Sequence, residues 1–224
     1  MTVASGVVAV VPIRGLGNGK TRLAGLLGPE ARAALTRRML RGVVRAALAA
    51  APVRAVVVVS PDPAALAFAA ALDPAVVPLA QDPAAPGLDA AAAAGRAWAM
   101  ARGASALLVL FGDLPLLRAE EIEDLLDHEA PVVLAVDRHG TGTNGLVLRL
   151  NRPAAAAFRF HYGPGSYARH TAEAGGLGLP VATSLAPGTA LDLDTPEDWR
   201  RLVAAGTDEL ALAVSSAAAD EPAP

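Results

Sequence analysis

Seven short runs of β-branched and leucine residues alternate along this chain with longer stretches rich in alanine and leucine. The runs occupy residues 7–11, 55–60, 75–79, 106–111, 132–136, 146–150 and 179–184. Helical stretches fall at 30–50, 64–72, 90–102, 119–128 and 195–205. In the first of these, Leu35, Met39, Val43 and Ala47 recur every four residues and share one helix face. Val56 to Val59 and Leu107 to Phe111 show no polar alternation. Such runs suit strands buried on both faces, as in a parallel sheet covered by helices. The expected fold is therefore α/β, a single doubly wound, mostly parallel sheet that takes ligands beyond the carboxyl ends of its strands. A chain of 224 residues is long enough for one domain with a large core and short for two. Residues 1–205 are expected to form it. Residues 206–224, rich in Ala, Ser, Pro and acidic residues, are expected to be a flexible tail.

Several function classes drop out early. Although 53% of residues are hydrophobic, no apolar run is long enough for a membrane span, so no membrane partner is expected. The first apolar run has no basic flank before it, which argues against a secretory signal. Cysteine is absent, which excludes disulfides, thiolate metal ligands and cysteine nucleophiles, and fits a cytoplasmic home. With a net charge of −3 and no basic cluster interleaved with aromatics, no nucleic-acid partner is expected. An anionic substrate would need a local cation or a metal ion. Oligomeric state stays open, a homodimer included.

One such cation stands out. Of nineteen lysines and arginines only one is lysine, Lys20, and it follows Gly15, Gly17 and Gly19 in one loop. A compact ammonium with three rotatable donors can seat against a phosphate in a site too tight for a planar guanidinium fork. The loop follows an apolar run ending in Val11 and Pro12 and precedes a helical stretch. Strand, glycine loop and helix start together point backbone N–H groups at an anion. Pro12, the three glycines and Lys20 are thus candidate nucleotide contacts. The alternative is that a lone lysine simply had to fall somewhere.

Three further loops begin where strand candidates end. The first presents Asp113 between Gly112 and Leu114. The second, residues 137–145, holds glycines and hydroxyls too densely for an ordinary hairpin. In the third, Asp192 and Asp194 alternate on a strand-like segment and so point the same way. Thr195, Pro196, Glu197 and Asp198 then open a helix. Strand-end aspartates often cap helices, which is the alternative for each. As a set, three carboxylates without cysteine suit Mg²⁺ rather than zinc. Ser166, after Gly163, Pro164 and Gly165, either caps the next helix or binds a second anion. His128, His139, His161 and His170 form no recognisable metal motif, and no Gly-x-Ser-x-Gly elbow occurs.

In order, these loops resemble the CofC/FbiD family of guanylyltransferases in coenzyme F-420 biosynthesis. The match covers Pro12 with Gly19 to Leu23, Gly87 to Asp89, Gly112 to Pro115, Gly140 to Asn144, Gly163 with Ser166 and His170, and Asp192 to Asp198. The resemblance implies a nucleotidyltransferase fold of the glycosyltransferase-A type. It implies GMP transfer from GTP to a three-carbon phosphate, phosphoenolpyruvate here, with 2-phospho-L-lactate or 3-phosphoglycerate as alternatives. By the same resemblance Asp113, Asp192 and Asp194 are metal ligands, Thr143, Gly163 and Ser166 bind the acceptor, and Gly87 and Asp89 bind the nucleotide. Relatives carry lysine where this chain has Arg14, and asparagine where it has Asp89, which could still accept from guanine N–H donors. The chemistry agrees, because a phosphate monoester is already a nucleophile near neutral pH and needs no general base. Charge neutralisation and alignment are what such a transfer requires. Lys20 and Arg22 are the expected catalytic cations, on the β- and γ-phosphates. A P-loop NTPase is the nearest rival, but its spacing demands glycine where Arg14 stands. A non-catalytic GTP-binding module is the other.

Overall fold

A computed structural model describes residues 6–17 and 19–204. The tail expected at 206–224 and the last position of the helix expected at 195–205 lie outside the described residues. β1 (Val7–Pro12) leads through a loop to α1 (Pro29–Ala49), and β2 (Val53–Ser60), α2 (Pro63–Ala70), β3 (Val76–Ala80), α3 (Leu88–Met100), β4 (Ala106–Leu110) and α4 (Ala119–Asp127) follow. β5 (Val132–Val136), β6 (Thr143–Arg149), α5 (Ser166–Gly176), β7 (Val181–Ser184), α6 (Pro187–Ala190) and α7 (Pro196–Ala204) complete the described chain. The sheet has the order β3-β2-β1-β4-β6-β5-β7. All pairings are parallel except those of β6, which runs antiparallel between β4 and β5.

The doubly apolar strands do what their lack of alternation requires. Ala9 and Val11 of β1 join one core with Leu40, Val43 and Val44 of α1 and Ile122 and Leu125 of α4. Val8 and Val10 enter a second core on the opposite face, with Ala91, Ala92 and Ala99 of α3. Each central strand is thus covered on both sides. The expected α1 stripe divides. Val43 and Ala47 pack on the sheet, whereas Leu35 and Met39 enter a third, smaller cluster with Leu23, Leu193 and Leu202. That cluster ties the loop after β1 to the segment before α7.

Two expectations are corrected. The segment expected as a non-hairpin loop at 137–145 is a hairpin: residues 137–142 connect β5 to β6, where Val136 pairs with Thr143. Its polar residues serve the turn, the Asp137 carboxylate accepting from the backbone N–H groups of His139 and Thr141. The 191–194 segment, expected to be strand-like, joins no strand of the sheet. Topology then sets where chemistry can occur. β1 and β4 are parallel neighbours and end at the same edge. Antiparallel β6 begins there, Leu110 pairing with Gly145. The chain turns from one half of the sheet to the other between β1 and β4, the place where such sheets open a crevice. Among the described residues no helix is long and apolar enough to cross a membrane.

Candidate active site

Lys20 lies beyond β1 with a backbone φ of 57°, the only non-glycine described residue with positive φ. A left-handed conformation there costs about 1–2 kcal/mol. Two anchors offset it. Leu23, in the 3₁₀ turn that Lys20 precedes, is fully buried in the third cluster. The Lys20 ammonium donates from Nζ to Asp113 Oδ2 at 2.5 Å and Asp194 Oδ1 at 2.7 Å. Burial alone would push its pKa down, but the two carboxylates hold it above the ordinary lysine value. Arg22, one position into the turn, is exposed.

Asp113 arrives at the end of β4, and its carbonyl accepts the Leu193 N–H at 3.1 Å. That bond straps the two acidic segments together. Leu193 is fully buried, and Asp192 lies close enough to Asp113 and Asp194 to feel the charge of both. Asn144 Nδ2 reaches Asp192 Oδ1 at 3.4 Å and the Thr189 carbonyl at 2.9 Å. Asp198 fixes the far side, its Oδ2 accepting from the Asp194 and Thr195 N–H groups and the Thr195 hydroxyl. Arg138 of the hairpin loop pairs with Asp198 Oδ1. Against its burial, the Thr195 hydroxyl, then the two N–H donors and the Arg138 charge, keep the Asp198 carboxyl below its usual range.

Among the described residues no three His, Cys, Asp or Glu side chains gather as closely as metal ligands. The cation between the carboxylates is the Lys20 ammonium itself, where the sequence reading had aimed it at phosphates. The cluster is nonetheless short of positive charge. Asp113 Oδ1 is buried with no hydrogen-bond partner. Burial, the charge of Asp113 and then that of Asp194 raise the Asp192 carboxyl above its ordinary value. A buried carboxylate oxygen without a donor is costly. Hard oxygen ligands in this number fit a divalent cation of the magnesium type.

A cavity of about 550 Å³ opens past the ends of β1, β2 and β3, lined by Pro12, Ile13, Arg14, Pro61, Gln81 to Pro83, and by Pro86, Gly87, Leu88 and Ala91 at the start of α3. Gln81 shapes the wall, its amide donating to the Ala85 and Gly87 carbonyls at 2.9 and 2.8 Å. Gly87, the residue before α3, has φ of 101°, a conformation open to glycine and strained for other residues. A Cβ at Gly15 would come within 2.9 Å of Asp62 Oδ2, the oxygen that accepts the Leu16 N–H. Gly17 has open space and Gly19 only an ordinary contact, so steric need singles out Gly15 in the loop. Asp89 departs from expectation. It is exposed and absent from the cavity wall, and its carboxylate accepts the Tyr162 backbone N–H at 2.7 Å.

Thr143 and Ser166 come together as the first residues of β6 and α5, both buried. The Thr143 N–H donates to Ser166 Oγ at 2.9 Å. Ser166 does not cap its helix, because Gly165, left-handed at φ 71°, occupies the cap position. Gly163, φ 107°, closes the turn by accepting the Ser166 N–H. Successive strand residues face opposite ways, so Thr143 meets α5 while Asn144 meets Asp192. The two clusters are thus joined through adjacent residues of β6. Sequence reasoning discounted His170, yet it is fully buried with Nδ1 3.1 Å from Thr143 Oγ1. Its position four residues after Ser166, on the same helix face, was the available signal. Tyr162 was missed as well. Its hydroxyl is buried without a partner, and its ring packs against Phe111 and His170 at 5.1 and 4.9 Å.

Comparison with known proteins now bears on this arrangement. Residues 7–213 match the family described as "Guanylyl transferase CofC like". The phosphoenolpyruvate guanylyltransferase of Sphaerobacter thermophilus is 40% identical over 209 residues, covering 90% of this chain and 97% of that protein. CMP:2-keto-3-deoxy-manno-octonic acid synthetase, solved with CTP, superposes with a TM-score of 0.61 at 17% identity, covering 92% of this chain and 100% of that one. A Mycobacterium tuberculosis protein solved in complex with manganese gives 0.53 at 18% identity, over 90% of this chain and 99% of its own. At such identities these two structures share the fold.

Proposed function

Since the chain belongs to the CofC-like guanylyl transferase family, a family of nucleotidyltransferases, we propose that it joins GMP from GTP to phosphoenolpyruvate and releases pyrophosphate. The product is a GDP-linked enolpyruvate for coenzyme F-420 assembly. The observation that carries the mechanism is the orphaned Asp113 Oδ1 beside the Lys20 ion pairs. Asp113, Asp192 and Asp194 would hold Mg²⁺, and a divalent metal has further support from the fold relative solved with manganese. When bound, the metal supplies charge neutralisation for the triphosphate and the developing pyrophosphate.

The rest falls to the chain itself. Pro12 and Gly87 line the cavity that would take the nucleoside, and Gly15, Gly17, Gly19 and Arg22 would border its phosphates. Lys20 is pre-positioned with its ammonium already desolvated, so anionic oxygens entering beside Asp113 and Asp194 meet a fixed charge instead of a mobile one. Thr143, Gly163 and Ser166 hold the acceptor, whose dianionic phosphate attacks the α-phosphorus without a general base. Positioning of two anions is therefore the main task. Pyrophosphate release from GTP and Mg²⁺, measured with phosphoenolpyruvate, 2-phospho-L-lactate and 3-phosphoglycerate in turn, tests the reading. Fastest turnover with phosphoenolpyruvate is expected. No release with any of them, despite GTP binding, would return the chain to the non-catalytic alternative.

A further inference from the structure

His170 sits one helical turn beyond Ser166 on α5, with none of its surface exposed. The backbone N–H of His161 lies 2.9 Å from its Nε2. An amide can only donate, so Nε2 carries the lone pair, and the proton of the neutral imidazole is on Nδ1. Nδ1 stands 3.1 Å from Thr143 Oγ1, so that bond runs from histidine to threonine. The threonine oxygen is thereby made an acceptor, and its own hydrogen is left to give elsewhere. The neighbouring bond has the same polarity, the Thr143 N–H donating to Ser166 Oγ. Both hydroxyls take a hydrogen bond from the protein on the oxygen and keep their hydrogens for something else. A phosphate or carboxylate asks for donors alone.

Building on the assignment of Thr143 and Ser166 to the acceptor, we propose that His170 is a positioning residue whose Nδ1–H turns the Thr143 hydroxyl into a donor toward the acceptor anion. The ring is held for this task. Phe158 stacks on it and Tyr162 meets it edge-on. Of the charged groups around it, Glu173 is engaged by the His161 ring and Arg169 by the carbonyls of His161 and Tyr162. Burial first, then His161 and Arg169 against the opposing Glu173, push the imidazole down to about 4. Near pH 7 it is neutral, and the donor direction does not reverse.

The test is a two-residue cycle read by pyrophosphate release. His170→Ala should raise the KM for phosphoenolpyruvate about tenfold, the scale of one hydrogen bond to a charged group, with the KM for GTP within about twofold. In a Thr143→Val background the same change should add less than about twofold, because its effect passes through the missing hydroxyl. Equal factors in both backgrounds, or matched losses for GTP and acceptor, overturn the proposal. If His170→Ala does not fold, His170→Asn and His170→Gln decide. Asn keeps a donor near the Nδ1 position, and Gln an acceptor near Nε2. Compared at equal melting temperature, tighter acceptor binding by His170→Asn supports the proposal, and the reverse order sinks it. Should Thr143→Val leave the acceptor KM unchanged while His170→Ala raises it, the acceptor assignment itself is what has failed, and the proposal falls with it.

Discussion

Lys20 reaches its partners from an irregular loop in a left-handed backbone, whereas Thr143 and Ser166 stand at the first positions of β6 and α5. On the first side the binding groups are charges with an unsatisfied oxygen among them. On the second, each named hydroxyl is already in a bond and buried to within 2% of full. The difference teaches that the carboxylate cluster, proposed for metal and phosphate, still lacks a partner for one oxygen, while the hydroxyl pair proposed for the acceptor is finished by folding. Substitutions on the two sides should therefore leave different signatures, activity without stability on one, and both together on the other.

The largest effect expected is at the acidic cluster. Asp113→Asn should cost on the order of a thousandfold in turnover, several kcal/mol of charge stabilisation being lost with the metal. It should also abolish the rise in melting temperature that Mg²⁺ gives the wild type by binding the folded state. In metal-free buffer its melting temperature should change little, since the weakened Lys20 contact is offset by relief of repulsion with Asp192, and Asp194 still holds the ammonium. A metal-free protein that is markedly destabilised would place Asp113 among structural residues and erase the contrast.

Lys20→Ala comes next, with a loss of about a hundredfold, the scale of one transition-state electrostatic contact. Lys20→Arg should recover only part, because the larger planar guanidinium places its charge at a different point from the buried ammonium. Full activity in the arginine variant would show that the ammonium's compactness is irrelevant. Ser166→Ala should raise the acceptor KM roughly ten- to a hundredfold and leave GTP affinity alone. Because Ser166 accepts from a buried Thr143 N–H, it should also cost roughly 1–3 kcal/mol of stability through the orphaned donor. Undiminished stability in this variant would blur the distinction from the other side.

His170 offers a gentler probe. Its folded pKa of about 4 lies below the ordinary value of 6.5, so between those limits the unfolded chain binds more protons. Its contribution to stability is then present above about pH 6.5 and is lost as pH falls toward 4. Unfolding of wild type and His170→Asn across that range should show a steeper pH dependence in the wild type. Parallel curves would mean that the ring is not held neutral. Smallest of all, Asp89→Asn should change the KM for GTP by less than about threefold, since the amide oxygen still accepts the Tyr162 N–H. A larger loss confined to GTP would restore Asp89 to guanine reading.

Much of this was legible in the chain. Uninterrupted apolar runs have one good outcome, burial on both faces, and so Val56 to Val59 and Leu107 to Leu110 specified central strands of a helix-covered sheet. Alternation of leucine with aspartate at 191–194 marked Leu193 for burial between two carboxylates, and it is buried. Spacing carries that information locally. The rest depended on which distant segments meet. Only the tertiary structure placed Lys20 between Asp113 and Asp194, 93 and 174 residues away. It alone gave Asp89 to Tyr162, 73 residues on, and removed Ser166 from capping by putting Gly165 at the cap. His170 was near enough to Ser166 for helical spacing to pair them, yet its meaning came from Thr143 on another element. Periodicity reports which side of an element is dry. The direction in which a hydrogen bond runs is decided by the partner, and for these residues the partner comes from elsewhere in the chain.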